Sequence, residues 1–176
     1  SPPWGTFAPT GRRAFWIKLG QTTPLGRGSL RRLWVKRLRK RGELVDTQVG
    51  TARLRLHLGD NRSEIKALQQ ADDFMAEERH ILCQAGEVTA KEAVYVVDIG
   101  ANAGLFTAMA AAELTRRAQV IAIEPNPVLQ ERLTANCQLC EAAQIHIAKV
   151  AIGAEAGEMQ LAFKADDLGG ASFAKG

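Results

Sequence analysis

The sequence predicts an α/β fold of the Rossmann-like kind, in which parallel strands alternate with helices. Three observations predict it. Apolar strand-like runs at residues 94–98, 119–124 and 145–151 alternate with helical patterns at 104–116 and 127–141, the order that parallel strands with right-handed crossovers require. The first run leads through Asp98 into a turn framed by Gly100 and Gly104, with a helical pattern directly behind it. The second run, VIAI at 120–123, ends on an acid, Glu124, twenty residues after Gly104.

The elements fall into three parts, 1–42, 43–93 and 94–176. Residues 1–29 are rich in Pro, Gly and Thr and read as irregular. Residues 29–41 read as a helix with Leu30, Leu33, Trp34 and Leu38 on an apolar stripe among Arg and Lys, and Gly42 stops it. A hairpin follows, LVDTQV at 44–49 and ARLRLHL at 52–58, split by Gly50-Thr51. The period-two rule puts Leu54, Leu56 and Leu58 on one face, with Arg53, Arg55 and His57 on the solvent side. Ser63 is placed to cap a short helix over 64–70, with Glu64 in its first turn. A second helix over 73–84 takes Phe74, Met75, Ile81 and Leu82 as its apolar face, leaving Glu77, Glu78 and His80 to solvent. After the three core strands, EMQLAF at 158–163 reads as one more short strand. Three core strands with their helices cannot cover both faces of a large sheet, so the sheet reads as incomplete at its C-terminal end, and 94–176 alone is expected to aggregate.

The turn sets the ligand chemistry. A dinucleotide site uses G-x-G-x-x-G to seat a pyrophosphate on a helix N-terminus. Here Gly100 and Gly104 frame G-A-N-A-G, and Asn102 stands where the middle glycine would be. Asp98, at the end of the first strand, is placed to orient a charged amino-acid tail. Gly100 and Gly104 let backbone approach a ligand, Asn102 offers an amide to the same tail, and Glu124 accepts from ribose hydroxyls. Asn126 flanks the ribose or the adenine, and Val150 and Ala151 end the third strand where an adenine ring would pack. A ribose and an amino-acid tail without pyrophosphate describe S-adenosylmethionine. No residue stands out as a catalytic base.

VVDIGANAGLFTAMAA, VIAIEPNPVLQERLTANCQL, IHIAKVAIGAEAGEMQL and DLGGASF resemble successive blocks of the FkbM-type family of S-adenosylmethionine-dependent methyltransferases, from about residue 50 onward. DIGANAG followed at this distance by EPNP is the most specific part. The resemblance implies a class I methyltransferase sheet and an oxygen acceptor, a hydroxyl or a carboxyl. It implies that an acidic residue in the helix of Glu77 and Glu78 faces the cofactor cleft, and that DLGGASF is a Gly- and Ser-rich loop near the active site with Ser172 close to the acceptor. The family continues through a D-x-E-G-like block and more strands. The sequence stops short of these, so the resemblance also implies that this stretch alone is inactive.

Composition narrows the alternatives. At 176 residues, with 46% apolar and 6% aromatic content, the chain suits a helix-and-sheet core of Ala, Val, Leu and Ile. The net charge of +4 hides an asymmetry, because residues 1–41 hold 11 of the 23 Lys and Arg and no Asp or Glu. Everything after them carries a net charge of −7. The basic arm predicts at most weak contact with a membrane surface and no nucleic-acid binding, since within 29–41 no aromatic residue apart from Trp34, on the apolar stripe, interleaves the cations as a stacking platform. Cys83, Cys137 and Cys140 are too few for a disulfide framework and suggest a reducing, cytoplasmic setting. Cys137 and Cys140 fall late in a helix, where the dipole disfavours a thiolate, and they read as structural. No metal is expected. The expected acceptor class is broad: a small molecule, a glycan or a lipid. Two competing functions are a nicotinamide-dinucleotide oxidoreductase, weakened by Asn102, and a non-catalytic module in which the basic arm binds an anionic partner.

Overall fold

The computed structural model describes residues 2–88, 93–140, 144–158, 160–164 and 167–173. In chain order the elements are α1 (Gly11–Thr22), two short 3-10 turns (Pro24–Gly26 and Gly28–Leu30), α2 (Arg31–Arg39), β1 (Leu44–Val49), β2 (Ala52–His57), α3 (Arg62–Gln69) and α4 (Ala76–Val88). Then come β3 (Val94–Ile99), α5 (Leu105–Leu114), a 3-10 turn (Thr115–Arg117), β4 (Ala118–Ile123), α6 (Pro127–Cys137), β5 (Gln144–Ala148), β6 (Leu161–Lys164) and β7 (Asp167–Phe173).

The α/β reading holds. Strands β3, β4 and β5 form a parallel sheet in that order, with Val97 opposite Ile121 and Ile121 opposite His146. Alternation sends Val96, Val120 and Ala122 to the face that α5 and α6 cover, where they meet Leu114 and Leu133. The opposite face is bare: Tyr95, Val97, Ile99 and Ile121 are all exposed. Parallel strands ordinarily have both faces covered.

The start of the chain differs from expectation. Residues 11–22 are helical, and the segment before them is tied to the hairpin. Arg55 pairs with Asp46 (Nε to Oδ1, 2.8 Å) and donates to the carbonyls of Pro2 and Pro3 at 2.9 and 3.0 Å. Asp46 in turn accepts from the amides of Gly5 and Phe7. Arg55 is therefore buried instead of solvent-side. A sequence of Pro and Gly that looks unstructured becomes ordered because a paired charge supplies its backbone with partners.

Helix α2 follows the predicted stripe only in part. Trp34 and Leu38 are fully buried, whereas Leu30 and Leu33 are exposed. Gly20 explains the fit: a Cβ there would lie 2.2 Å from the Trp34 ring. The indole Nε1 donates to the carbonyl of Trp16 at 2.7 Å. Trp34 and Leu38 join Val45, Leu54, Leu56, Leu58, Leu68 and Phe74 in a core that reaches Leu105 and Met109 of α5. Each such side chain contributes about 1.5–3 kcal/mol on burial. This cluster sets the hairpin and α3 beside the parallel sheet.

Three further elements differ from expectation. Asn61, not Ser63, caps α3 by accepting from the Ser63 amide at 3.0 Å. Helix α4 begins at Ala76, and Ile81 points to solvent while Phe74 and Leu82 are buried. Residues 167–173 are a strand, not a loop. It pairs antiparallel with β6 through Ala162–Ser172 and Lys164–Asp167.

Candidate functional site

The site lies where β3 and β4 end. Asp98 is half-buried near the end of β3 and accepts from the Thr107 hydroxyl, in the first turn of α5, at 2.6 Å. Burial pushes the Asp98 carboxyl above its ordinary value, against that hydrogen bond. Thr107 is invisible in the sequence as a functional residue, because it sits in an Ala-rich helical run.

The chain then turns. Gly100 has φ +77°, and a Cβ built there would meet nothing within 4 Å. The amides of Gly100 and Ala101 both donate to the carbonyl of Ile123 at 2.9 Å, which stitches the turn to the end of β4. Glu124 lies beneath this stitch and is 5% exposed. One carboxylate oxygen accepts from the Asn102 amide at 2.7 Å and the other from the Asn126 amide at 2.8 Å. Glu124 thus ties together the two loops that follow adjacent parallel strands. Its oxygens have lone pairs to spare, but its first partners are backbone amides and not a ligand.

The other expected residues divide. Gly104 has φ +78°, and a Cβ there would lie 2.6 Å from Leu133 Cδ1, so this glycine serves the contact between α5 and α6 instead of an approach to ligand. Asn102, at φ +55°, accepts through its side chain from the Ala103 amide at 2.7 Å and from Asn61 Nδ2. Asn126 is fully buried as the cap of α6, accepting from Val128 N at 3.0 Å and donating to Leu168 O at 3.3 Å. Pro127 occupies the first turn of α6, where its missing N–H is harmless. Ala151 and Val150 lie beyond the end of β5, in an exposed segment that together with Pro125 and Leu161 lines a cleft of about 850 Å³.

Strand β7 walls the site. Leu168 N donates to Asp60 O at 2.8 Å, and Arg62 pairs with Asp167 at 3.2 Å. Gly169 passes so close to Asn102 that a Cβ would lie 2.6 Å from its Nδ2. Gly169 of DLGGASF thus leaves room for the Asn102 amide. The Ser172 side chain lies outside the described residues. Glu77 and Glu78 are exposed on α4.

A buried polar layer supports the site from the hairpin side. Asn136 is fully buried, donating to Ala103 O at 2.8 Å and accepting from Arg55 N at 2.7 Å. Arg132 bridges Glu64 and Asp60, each at 2.8 Å. Glu64 also accepts from His57 N at 2.8 Å. Burial raises the Glu64 carboxyl to about 7, outweighing the opposing pull of Arg132 and the His57 amide. Burial lowers His57, half-buried at the end of β2, to about 4. Burial likewise raises Cys137 to about 12 and Cys140 to about 11, which leaves both thiols protonated and unreactive at neutral pH. No cluster of metal-ligating side chains occurs among the described residues. No helix among them is long and apolar enough to cross a membrane.

No protein-family model and no curated protein matches the chain. Among solved structures, an S-adenosylmethionine-dependent methyltransferase from Agrobacterium tumefaciens is similar over 61% of this chain and 32% of its own, with 19% identity and a TM-score of 0.45. A candidate transferase from Pyrococcus horikoshii is similar over 62% of this chain and 37% of its own, with 20% identity and a TM-score of 0.42. The chain therefore spans about a third of the length of either structure.

Proposed function

We propose that this chain holds S-adenosylmethionine at the C-terminal ends of β3 and β4 and serves a methyltransferase of the FkbM-like kind, with an oxygen acceptor. The observation that carries the proposal is the pairing of Asp98 and Glu124 at the ends of adjacent parallel strands, with open space over Gly100. Open α/β sheets take ligands at the carboxyl ends of their strands. The residues fit the group. The unfilled room at Gly100 admits a ligand where any side chain would intrude. The cleft by Pro125, Val150 and Ala151 has the size and apolar lining for a purine.

On this reading Asp98 orients the amino-acid end, held by Thr107. The second lone pairs of Glu124 serve the ribose, while its amide bonds fix both loops. The bound cofactor supplies a methyl group on a sulfonium, which departs as a neutral thioether. The protein's own contribution is to hold donor and acceptor in line and to keep water out. Asn102, in place of a glycine and fastened to Asn61, weighs against a pyrophosphate and hence against a nicotinamide dinucleotide.

Isothermal titration of S-adenosylhomocysteine tests the proposal, using the chain beside Asp98→Asn and Ala151→Trp. Asp98→Asn keeps an acceptor for Thr107 but removes the charge, and Ala151→Trp fills the cleft. Micromolar binding to the wild type that both substitutions abolish is the expected outcome. A folded wild type that binds nothing would end the methyltransferase reading.

A further inference from the structure

The basic arm holds a buried cation that the proposed cofactor site does not use. Arg13 is 9% exposed, and its Nε has no hydrogen-bond partner. Its Nη2 donates to the carbonyl of Gly42 at 2.7 Å, and among the described residues no carboxylate pairs with it. A buried guanidinium without a counter-ion is costly, and burial already lowers its pKa.

The surroundings add positive charge. Arg13 stands between two clefts. One, of about 400 Å³, is lined by Arg12, Trp16, Arg37, Lys40 and Arg41. The other, of about 280 Å³, is lined by Thr6, Thr10 and again Arg41. Both clefts adjoin the start of α1, a helix of 12 residues. Thr10 precedes it in an extended conformation with its hydroxyl capping nothing, and the first turn holds no acid. Two arginines in a first turn oppose the helix dipole, which favours negative charge there. An anion would satisfy the dipole and the guanidinium that lacks a counter-ion at once. The fork of a guanidinium matches the oxygens of a phosphate.

We propose that Arg13, Arg41 and the N-terminus of α1 form a binding site for a phosphate group, carried either by a free phosphorylated molecule or by a lipid headgroup. The site is independent of the proposed cofactor site.

The test is thermal denaturation of the full chain in sodium phosphate against sodium chloride at matched ionic strength. Wild type, Arg13→Met and Arg41→Ala are compared. The wild-type Tm should rise saturably with phosphate and not with chloride. Arg13→Met should melt higher than wild type without phosphate, since it removes an unpaired buried charge, and should lose the phosphate response. Arg41→Ala, at a surface position, should fold normally and require roughly tenfold more phosphate for the same rise. Sedimentation with phosphatidylcholine vesicles, with and without phosphatidic acid, then separates the sources. Arg13-dependent binding to the acidic vesicles assigns a lipid headgroup; a phosphate response without vesicle binding assigns a free ligand. A wild-type Tm indifferent to phosphate, or a response that survives both substitutions, overturns the proposal. So does vesicle binding that survives Arg13→Met.

Discussion

Glu124→Gln is the substitution that best separates the architecture of the site from its chemistry. In the wild type each carboxylate oxygen takes one backbone amide, Asn102 N at 2.7 Å and Asn126 N at 2.8 Å. A glutamine of the same shape offers one oxygen and one NH2, so one amide keeps an acceptor and the other faces a donor. The loss of a charge-assisted bond is worth about 1.5–3 kcal/mol, and an orphaned buried N–H costs about 1–3 kcal/mol. These overlap, so a net loss of roughly 2–4 kcal/mol is expected. For a chain of this size each kcal/mol moves Tm by about 2–4 °C, giving a fall of roughly 5–15 °C. Thermal scans followed by circular dichroism measure this without any ligand. A Glu124→Gln variant melting within about 2 °C of wild type would show that the carboxylate does not hold the two loops, and the argument from geometry would fail. Asp98→Asn is the internal contrast: the amide oxygen leaves Thr107 its acceptor, so its Tm should stay close to wild type.

Four further outcomes are expected. Asn136→Ala leaves Ala103 O and Arg55 N without their shared partner in a fully buried position, so a loss of about 2–4 kcal/mol in urea titration should follow; a loss below about 1 kcal/mol would contradict it. Gly104→Ala strains a φ of +78° and drives a methyl into Leu133, and should lower Tm by several degrees as read by calorimetry; an unchanged Tm would argue against the close contact of α5 and α6. Val97→Thr with Ile121→Thr, opposite each other on the bare sheet face, should reduce self-association in light scattering while Tm holds; scattering equal to wild type would show that this face is not the sticky one. The pH dependence turns on two groups with opposite signs. Glu64, raised from 4.5 to about 7, adds stability below pH 4.5 that is lost as pH climbs through 7. His57, lowered from 6.5 to about 4, adds stability above pH 6.5 that is lost as pH falls through 4. The two slopes oppose each other between pH 4.5 and 6.5, so His57→Gln should convert a nearly flat Tm profile into one that declines with rising pH; parallel profiles for variant and wild type would refute this pairing.

The parallel unit was legible because its signals are local. Alternating strand and helix periods, a glycine turn and a proline at a helix start are each written within a few residues, and β3 to β5 with α5 and α6 appear within a few residues of where the spacing puts them. The hairpin was legible for the same reason. What the sequence hid is non-local. Arg55 reads as a solvent-side residue until Asp46 and the carbonyls of Pro2 and Pro3 converge on it. Glu64 and Arg132 are 68 residues apart, and no periodicity links them. Leu30 and Leu33 obey helical spacing yet stay exposed, because α1 covers only the side of α2 that carries Trp34.

The misreading of 167–173 has a cause that also reinterprets the site. The family resemblance implied a loop, but Leu168 is buried and its backbone bonds Asp60 and, through Asn126, the cap of α6. Gly169 then leaves room for the Asn102 side chain, and Asn102 is held by Glu124 through its amide and by Asn61 through its side chain. Glu124 therefore anchors a chain of contacts that runs from the ends of β3 and β4 to the strand that walls the site. A residue whose sequence position suits ribose chemistry is also the tie that positions two loops and, through them, β7. This makes two losses separable. If Glu124→Gln releases the loops, β7 should lose amide protection in hydrogen exchange at Leu168 and Gly169 even with no ligand present. Asp98→Asn should leave that protection intact while removing binding. Protection at β7 that survives Glu124→Gln would mean the strand is held by β6, Asp60 and Arg62 without help from Glu124, and the wall of the site would owe nothing to the acid at the end of β4.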